Sequence, residues 1–212
     1  EPMLRAEEVT ATLRLSSLWR GRLEIGSLNL KYPSLNLVRN PEGHWNLESL
    51  LVRATTTPAA PTTKTRAEQR PRFPYIQAEE GRINFKSGNA KKVHALNNAD
   101  FALWLASEDQ WKMRLEGRPV RTDANLGDTG LLRIEGSFQR AARLRDMPML
   151  VNLELVRAQL GQLTTLVSGR DRGWRGAVYA EALIAGKPAE LHLTGNLSVD
   201  DFRRYDIMSG DA

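Results

Sequence analysis

The sequence predicts a mainly β fold, an antiparallel sheet carrying two or three short helices. Three observations predict it. Apolar and polar residues alternate with a period of two along much of the 212-residue chain, as in Val9-Thr10-Ala11-Thr12-Leu13 and Leu132-Arg133-Ile134-Glu135. That period sends alternate side chains to opposite faces of a strand. Turn signals rich in Gly, Pro and Asn separate the runs, at Asn40-Pro41-Glu42-Gly43, Ser87-Gly88-Asn89 and Asn125-Leu126-Gly127-Asp128. Long amphipathic helices, which would cover a sheet, are missing.

Taken in order, the first strand alternates from Val9 to Leu15, and Leu23-Glu24-Ile25 continues its pattern. At Gly26-Ser27 the apolar phase slips to Leu28, Leu30 and Tyr32, which predicts a bulge, because one extra residue exchanges the faces. Pro33 ends that strand, and Leu35-Asn36-Leu37 resumes the alternation. Asn46 can cap a short helix bearing Leu47, Leu50 and Leu51 at i, i+3 and i+4. Residues 54–72 hold six Thr, four Ala and three Pro and no large apolar residue, so they read as a flexible linker. It divides an N-terminal β region, residues 1–53, from residues 73–212, which continue the same β unit as one domain. Strands follow at Ile83–Phe85, Phe101–Leu105, Trp111–Glu116, Leu132–Glu135, Val151–Leu155, Val178–Ile184 and Leu191–Thr194, with a short helix over 158–167 weakened by Gly161. About eleven strands are expected. Trp111-Lys112 and Trp174-Arg175 each open a strand that precedes an apolar-x-apolar-x-Gly-x-apolar run, which suggests a weak internal repeat.

Composition excludes several chemistries. With no cysteine there is no disulfide framework, no Cys-ligated zinc and no cysteine nucleophile. The longest apolar run, Phe101 to Ala106, falls far short of the roughly 18 residues of a membrane span. The chain opens on Glu1 without a secretory leader pattern, and it reads as a piece of something longer. Phosphate-binding, dinucleotide-binding, zinc-protease and serine-hydrolase motifs are all missing. His44, His94 and His192 lie far apart, outside metal-ligand spacing, so no metal and no cofactor is expected. Asp200-Asp201 reads as a strand end and a cap for the next segment, because adjacent strand residues face opposite ways. Asn196-Leu197-Ser198 matches a glycosylation sequon inside a strand pattern. No carboxylate pair stands at recognisable spacing, so a polysaccharide-acting enzyme ranks last and a non-enzymatic role is expected.

The net charge of +5 raises nucleic acid or anionic lipid as partners. The basic residues recur at turns and strand ends, as in Arg140, Arg143, Arg145, Arg203 and Arg204. No recognition helix or basic-aromatic interleaving accompanies them, so nucleic acid is not expected. The apolar phase of the strands must in turn pack on something. Two solutions stay open: a sandwich or barrel closed on itself, or a concave face left for a hydrophobic ligand.

Residues 4–51 resemble the N-terminal region of the AsmA-like proteins of Gram-negative envelopes. The likeness lies in Leu18-Trp19-Arg20-Gly21-Arg22-Leu23-Glu24-Ile25, in Pro33-Ser34-Leu35-Asn36-Leu37-Val38-Arg39, and in Gly43-His44-Trp45-Asn46-Leu47 followed by a helix and a variable linker. Asn196–Ile207 is similar to a later segment of that family, and the middle shares only the alternation. The resemblance implies an elongated, strongly twisted sheet forming an open apolar groove, as in TamB-type and chorein-type bridge-like lipid transfer proteins. It implies a periplasmic protein held at the inner membrane by an anchor absent from this chain, with phospholipid as its partner and a part in lipid transport and outer-membrane assembly. The expected groove wall is Val9, Leu13, Leu15, Leu23, Ile25, Leu35, Leu37, Ile83, Phe85, Phe101, Leu103, Leu105, Trp111, Met113, Leu115, Leu132, Ile134, Leu153, Leu191 and Leu193. Eleven stacked strands would span about 50 Å, one end of a conduit. A structural or protein-interaction scaffold of the envelope is the alternative.

Overall fold

The computed structural model of the chain describes residues 3–19, 21, 23–46, 73–88, 90–107, 109–141 and 143–205. The expected helix at Leu47, Leu50 and Leu51 and the expected linker at 54–72 lie outside these. Eleven strands form one open, twisted sheet that does not close into a barrel. They are β1 (Leu4–Arg5), β2 (Glu8–Leu13), β3 (Ile25–Lys31), β4 (Ser34–Arg39), β5 (Tyr75–Ser87), β6 (Ala90–Ser107), β7 (Gln110–Arg121), β8 (Leu131–Gln139), β9 (Met149–Gln159), β10 (Trp174–Lys187) and β11 (Glu190–Arg204). Helix α1 (Leu15–Leu18) precedes β3, a 3₁₀ turn (Leu144–Asp146) precedes β9, and α2 (Leu160–Ser168) follows β9.

From β5 to β11 each strand pairs antiparallel with the next. The expectation of a wholly antiparallel sheet is corrected at β5, whose other edge runs parallel to β3 along Tyr75–Glu79 and to β4 along Arg82–Ser87. Parallel pairing needs a crossover of a dozen or more residues, and the long stretch between Arg39 and Tyr75 provides it. β1 pairs with β4 and β2 with β3 in one continuous register, Leu4↔Leu35 and Glu8↔Lys31. Residues 4–13 and 25–39 therefore behave as two interrupted strands, and nine strands stand side by side across the sheet. At about 4.8 Å per step they span about 40 Å, less than eleven separate strands would.

Phase slips in the sequence become bulges. Gly26 is the unpaired residue between Thr12↔Ser27 and Leu13↔Ile25, where the slip predicted it. Other irregularities were not anticipated: Glu80, Asn98, Arg157 and Asp201 lie at register shifts, Tyr32 separates β3 from β4 opposite Glu80, and all five have φ between 48° and 53°. A non-glycine residue in that region costs roughly 1 kcal/mol or more. At Glu80 the Asp100 carboxylate offsets part of this by accepting its backbone N–H at 2.7 Å. Each bulge shifts the parity of the strand, and the apolar phase shifts with it, from Ala78 to Ile83 and from Leu96 to Phe101. Gly81 beside one of them has no substitute, since a Cβ there would lie 2.9 Å from Ala99 O and from Pro33 Cγ.

Three further expectations are corrected. β2 stops at Leu13 and Leu15 begins α1, while Leu23 precedes β3, so neither belongs to a strand. Asp200-Asp201 does not end β11, which runs on to Arg204 through the bulge at Asp201. The Trp repeat is not structural. Gly136 pairs with Met113, two residues after Trp111, whereas Gly195 pairs with Ala182, eight after Trp174, and the two tryptophans stand at opposite ends of the sheet.

Three polar arrangements fasten the sheet. The turn after β4 folds back so that Asn46 donates to Asn36 O (2.8 Å) and accepts from Val38 N–H (3.1 Å), mimicking a strand partner. Buried Asn36 and Asn84 face each other across β4 and β5 and share a hydrogen bond of 3.3 Å. After α2, Asp171 accepts both Arg175 guanidinium nitrogens at 2.9 and 2.8 Å and the Gly173 N–H at 2.8 Å. The Arg175 guanidinium first, then that N–H, hold the Asp171 carboxyl below its ordinary 3.8.

Replacing Asn46 by Ala will lower unfolding stability by about 1–3 kcal/mol, the effect of removing a side chain that satisfies two backbone groups; an unchanged urea midpoint would refute its role as a strand surrogate. Because the folded pKa of Asp171 is depressed, its contribution is complete above pH 3.8 and fades as pH falls through the folded value. The stability gap between the native chain and Asp171→Asn will therefore narrow on acidification below 3.8, by a small amount because the pair is solvated.

Candidate functional site: one face of the open sheet

Paired residues on neighbouring strands project to the same side. Following the register across the sheet gives the row Ala11, Leu28, Ile76, Leu103, Met113, Gly136, Val151, Ile184, Leu193, from one edge to the other. The adjoining row on this face is Val9, Leu30, Ala78, Phe101, Leu115, Ile134, Leu153, Ala182, Gly195. Neither row holds a polar side chain. One residue along, on the opposite face, the row reads Thr10, Asn29, Gln77, Ala102, Arg114, Glu135, Asn152, Leu183, Thr194. There Arg133 bonds Glu116 at 3.0 Å and reaches Glu154 at 3.6 Å, an ion-pair ladder across three strands.

All of the sequence-expected wall residues except Leu15 and Leu23 lie on the first face. Leu15 sits in α1 and Leu23 in the segment before β3, both 73% exposed and off the sheet. Leu13 and Ile25 face each other at the β2–β3 end, and Leu191 lies near the start of β11. Leu35, Leu37, Phe85, Leu115 and Leu132 pack against the small buried cluster of Ile83, Leu96 and Ala99. Leu105 and Trp111 pair at the far end of β6 and β7, and there only Trp111 is buried. The expected wall missed Leu28, Leu30, Ile76, Phe138, Met149, Val151, Leu155, Ile184 and Leu197, which the same alternation could have found had the parity change at each bulge been followed.

No second sheet covers this face among the described residues. Side chains in the middle strands are half-buried by their neighbours alone, and those on the outer strands are open, with Leu193 and Leu197 near 70% exposed. The two ends of the face differ. At the end where β7 finishes, α2 lies against β7, β9 and β10. Gly161 lets it approach, because a Cβ there would lie 2.9 Å from Trp174 O. Arg121 Nη1 (3.1 Å) and the His94 ring (2.9 Å) meet Leu166 O near the helix C-terminus, where positive charge is favoured. Arg121 also grips Asp123 at 2.6 Å and holds that carboxyl below its ordinary value. Ala158 and Val178 are fully buried in this corner. At the opposite end, where β6 turns into β7, the helix is the single turn α1 between β2 and β3, whose Leu15 and Leu18 stay exposed.

Comparison with family models, curated proteins and solved structures finds no match to this chain. The site is therefore read from its own chemistry. Among the described residues, no group of three or more His, Asp or Glu gathers to hold a metal ion. Among them, too, no helix is long and apolar enough to cross a membrane. A hollow of about 660 Å³ at β9, β10 and β11 belongs mainly to the opposite, polar face, through Asn152, Glu154, Glu181, Leu183, Thr194 and Asn196; only Leu153, Ala182 and Gly195 of its lining are on the apolar face. What the arrangement offers is non-directional contact over many strands, with no set of converging reactive groups among the described residues.

The folded protein will bind the fluorescent apolar probe anilinonaphthalene sulfonate in its native state. The double variant Met113→Glu, Leu153→Glu will lose most of that signal. Arg114→Leu, Asn152→Leu on the other face will not, and equal loss in both would show that the two faces do not differ.

Proposed function

We propose that this chain is a lipid-binding module of an AsmA-like envelope protein, and that its apolar face forms a groove for phospholipid acyl chains. The observation that carries the reading is the pair of rows without a polar side chain, continuous from β2 to β11 on a sheet without a second layer among the described residues. Globular domains cover such a face, since a sheet with one apolar side must bury it. An acyl chain is a suitable cover. Each CH₂ taken from water gains roughly 0.8 kcal/mol, and a wall without directional bonds lets the chain slide along it. The likeness of residues 4–51 to the AsmA-like N-terminal pattern supports the same reading and suggests the setting. The module would work in the periplasm, tethered to the inner membrane, and assist phospholipid movement toward the outer membrane. A width of about 40 Å makes it one section of a path. Basic residues at strand ends and connections, such as Arg143 and Arg145, would attract anionic headgroups at about 1 kcal/mol per charge near a surface. No bond is made or broken in this mechanism, so the module is no enzyme.

A protein-interaction scaffold is the second reading. It is favoured by β11, which is open along nearly all of its length and pairs only with β10 among the described residues.

Photo-crosslinking residues at Leu103 and Leu115, on the apolar face, will capture phospholipid in cells, while the same reagent at Lys112 and Arg114 will not. Native mass spectrometry of the extracted protein will show co-purifying lipid. Finding neither lipid nor crosslink removes the lipid reading, and a protein adduct at β11 alone would favour the scaffold.

A further inference from the structure

We propose that Trp111 and Arg140 form an anchor for an anionic oxygen-bearing headgroup at the open end of the apolar face. Trp111 is 3% exposed, yet among the described residues its indole Nε1 has no hydrogen-bond partner, and the buried Nε of Arg140 has none either. Both groups are donors only. Leaving such donors buried and unmatched is unfavourable, and an acceptor-rich ligand would satisfy both. The two side chains are held together. The Arg140 guanidinium carbon lies 5.6 Å from the centre of the Trp111 ring, and Phe73 meets that ring edge-on at 4.4 Å. Arg140 reaches the site because the β7–β8 register runs on past Gln110↔Gln139: its backbone N–H is tied to Asp109 O at 2.8 Å, and it stands two residues beyond Phe138, the partner of Trp111, on the same face. No carboxylate among the described residues neutralises the guanidinium, whose planar fork suits a phosphate or carboxylate.

The position gives the site its meaning. Trp111 begins the apolar run of β7, followed on the same face by Met113, Leu115 and Gly117, with Phe138 beside it on β8. From Trp111 to Gly117 the strand covers about 20 Å at 3.3 Å per residue. That accommodates the tail of a lipid whose leaflet is about 15 Å thick, half of a bilayer core. The far end is occupied by α2, so an amphiphile would lie with its head at Trp111 and its tail toward the helix. This orientation rests on the proposed lipid reading; the pair of donors does not.

The test follows the indole N–H signal of Trp111 by ¹⁵N NMR, assigned as the one resonance that Trp111→Phe removes. Three probes are titrated below any micellar concentration: dihexanoylphosphatidylglycerol, an uncharged hexyl glucoside and inorganic phosphate. The anionic lipid will move the indole signal and bind about tenfold more tightly than the glucoside, and Arg140→Met will abolish that preference while leaving glucoside binding intact. Circular dichroism confirms that the variants are folded. If phosphate alone moves the signal with the same affinity as the lipid, the donors form a simple anion site and the lipid orientation is overturned. If neither anion moves it, the anchor is overturned, whether or not the glucoside binds. Glucoside binding without an anionic preference would then leave the groove reading standing, and no binding of either amphiphile would remove that reading instead.

Discussion

Among the described residues the sheet has no second layer over most of its area, so it can shield its apolar side chains only sideways, against neighbours on the same face. The rest of the structure depends on that constraint. Cross-strand pairs are the units of stabilisation here, and they work only if the apolar set stays on one side from strand to strand. The bulges make this demanding, because each one exchanges the faces. The chain meets the demand by changing its apolar parity at the same places, from Leu30 to Leu35 across Tyr32, from Ala78 to Ile83 across Glu80, and from Leu96 to Phe101 across Asn98. A substitution that kept the bulge and lost the parity change would turn half a strand inside out.

The sequence carried the strands and one face of the sheet, for a physical reason. Alternation is a local signal, and β6 to β11 are long hairpin strands in which local order decides everything. The bulge at Gly26 was legible because Leu28 and Leu30 are out of phase with Ile25; the same signal stands at Ala78 and Ile83, spread over more residues and harder to see. Direction of pairing was not legible, since an alternating strand pairs equally well either way and only the distant return of the chain to β5 made β3 and β4 parallel. The helical future of Leu15 was hidden because Leu13-Arg14-Leu15 extends the strand pattern by one more period. Least legible was the meeting of Trp111 with Arg140, which depends on the β7–β8 register, Trp111 opposite Phe138 with Arg140 two residues on, and that register is not written in either strand alone.

The two faces are built by different physics. One gains from contact and is indifferent to direction. The other gains from matched charges and amides, as in the Glu116–Arg133–Glu154 ladder and the Asn36–Asn84 pair, which reward one register over its neighbours. Each exposed ion pair there is worth little by itself. Their use is to penalise slippage, so that the contact face keeps its alignment although nothing on that face specifies it.

The two outermost strands are unequal, and this gives the sheet a polarity. On one side the edge is broken into β1 and β2, interrupted at Ala6 and Glu7 and too short to template a long partner. On the other, β11 offers 15 consecutive residues of strand, with a central stretch from Leu191 to Val199 free of formal charge apart from His192. Natural edges are usually blunted by brevity, bulges or charge. By that measure one side of this sheet is finished and the other is receptive. Any strand added by pairing will be added asymmetrically, so that the two rows lengthen from the β11 side alone.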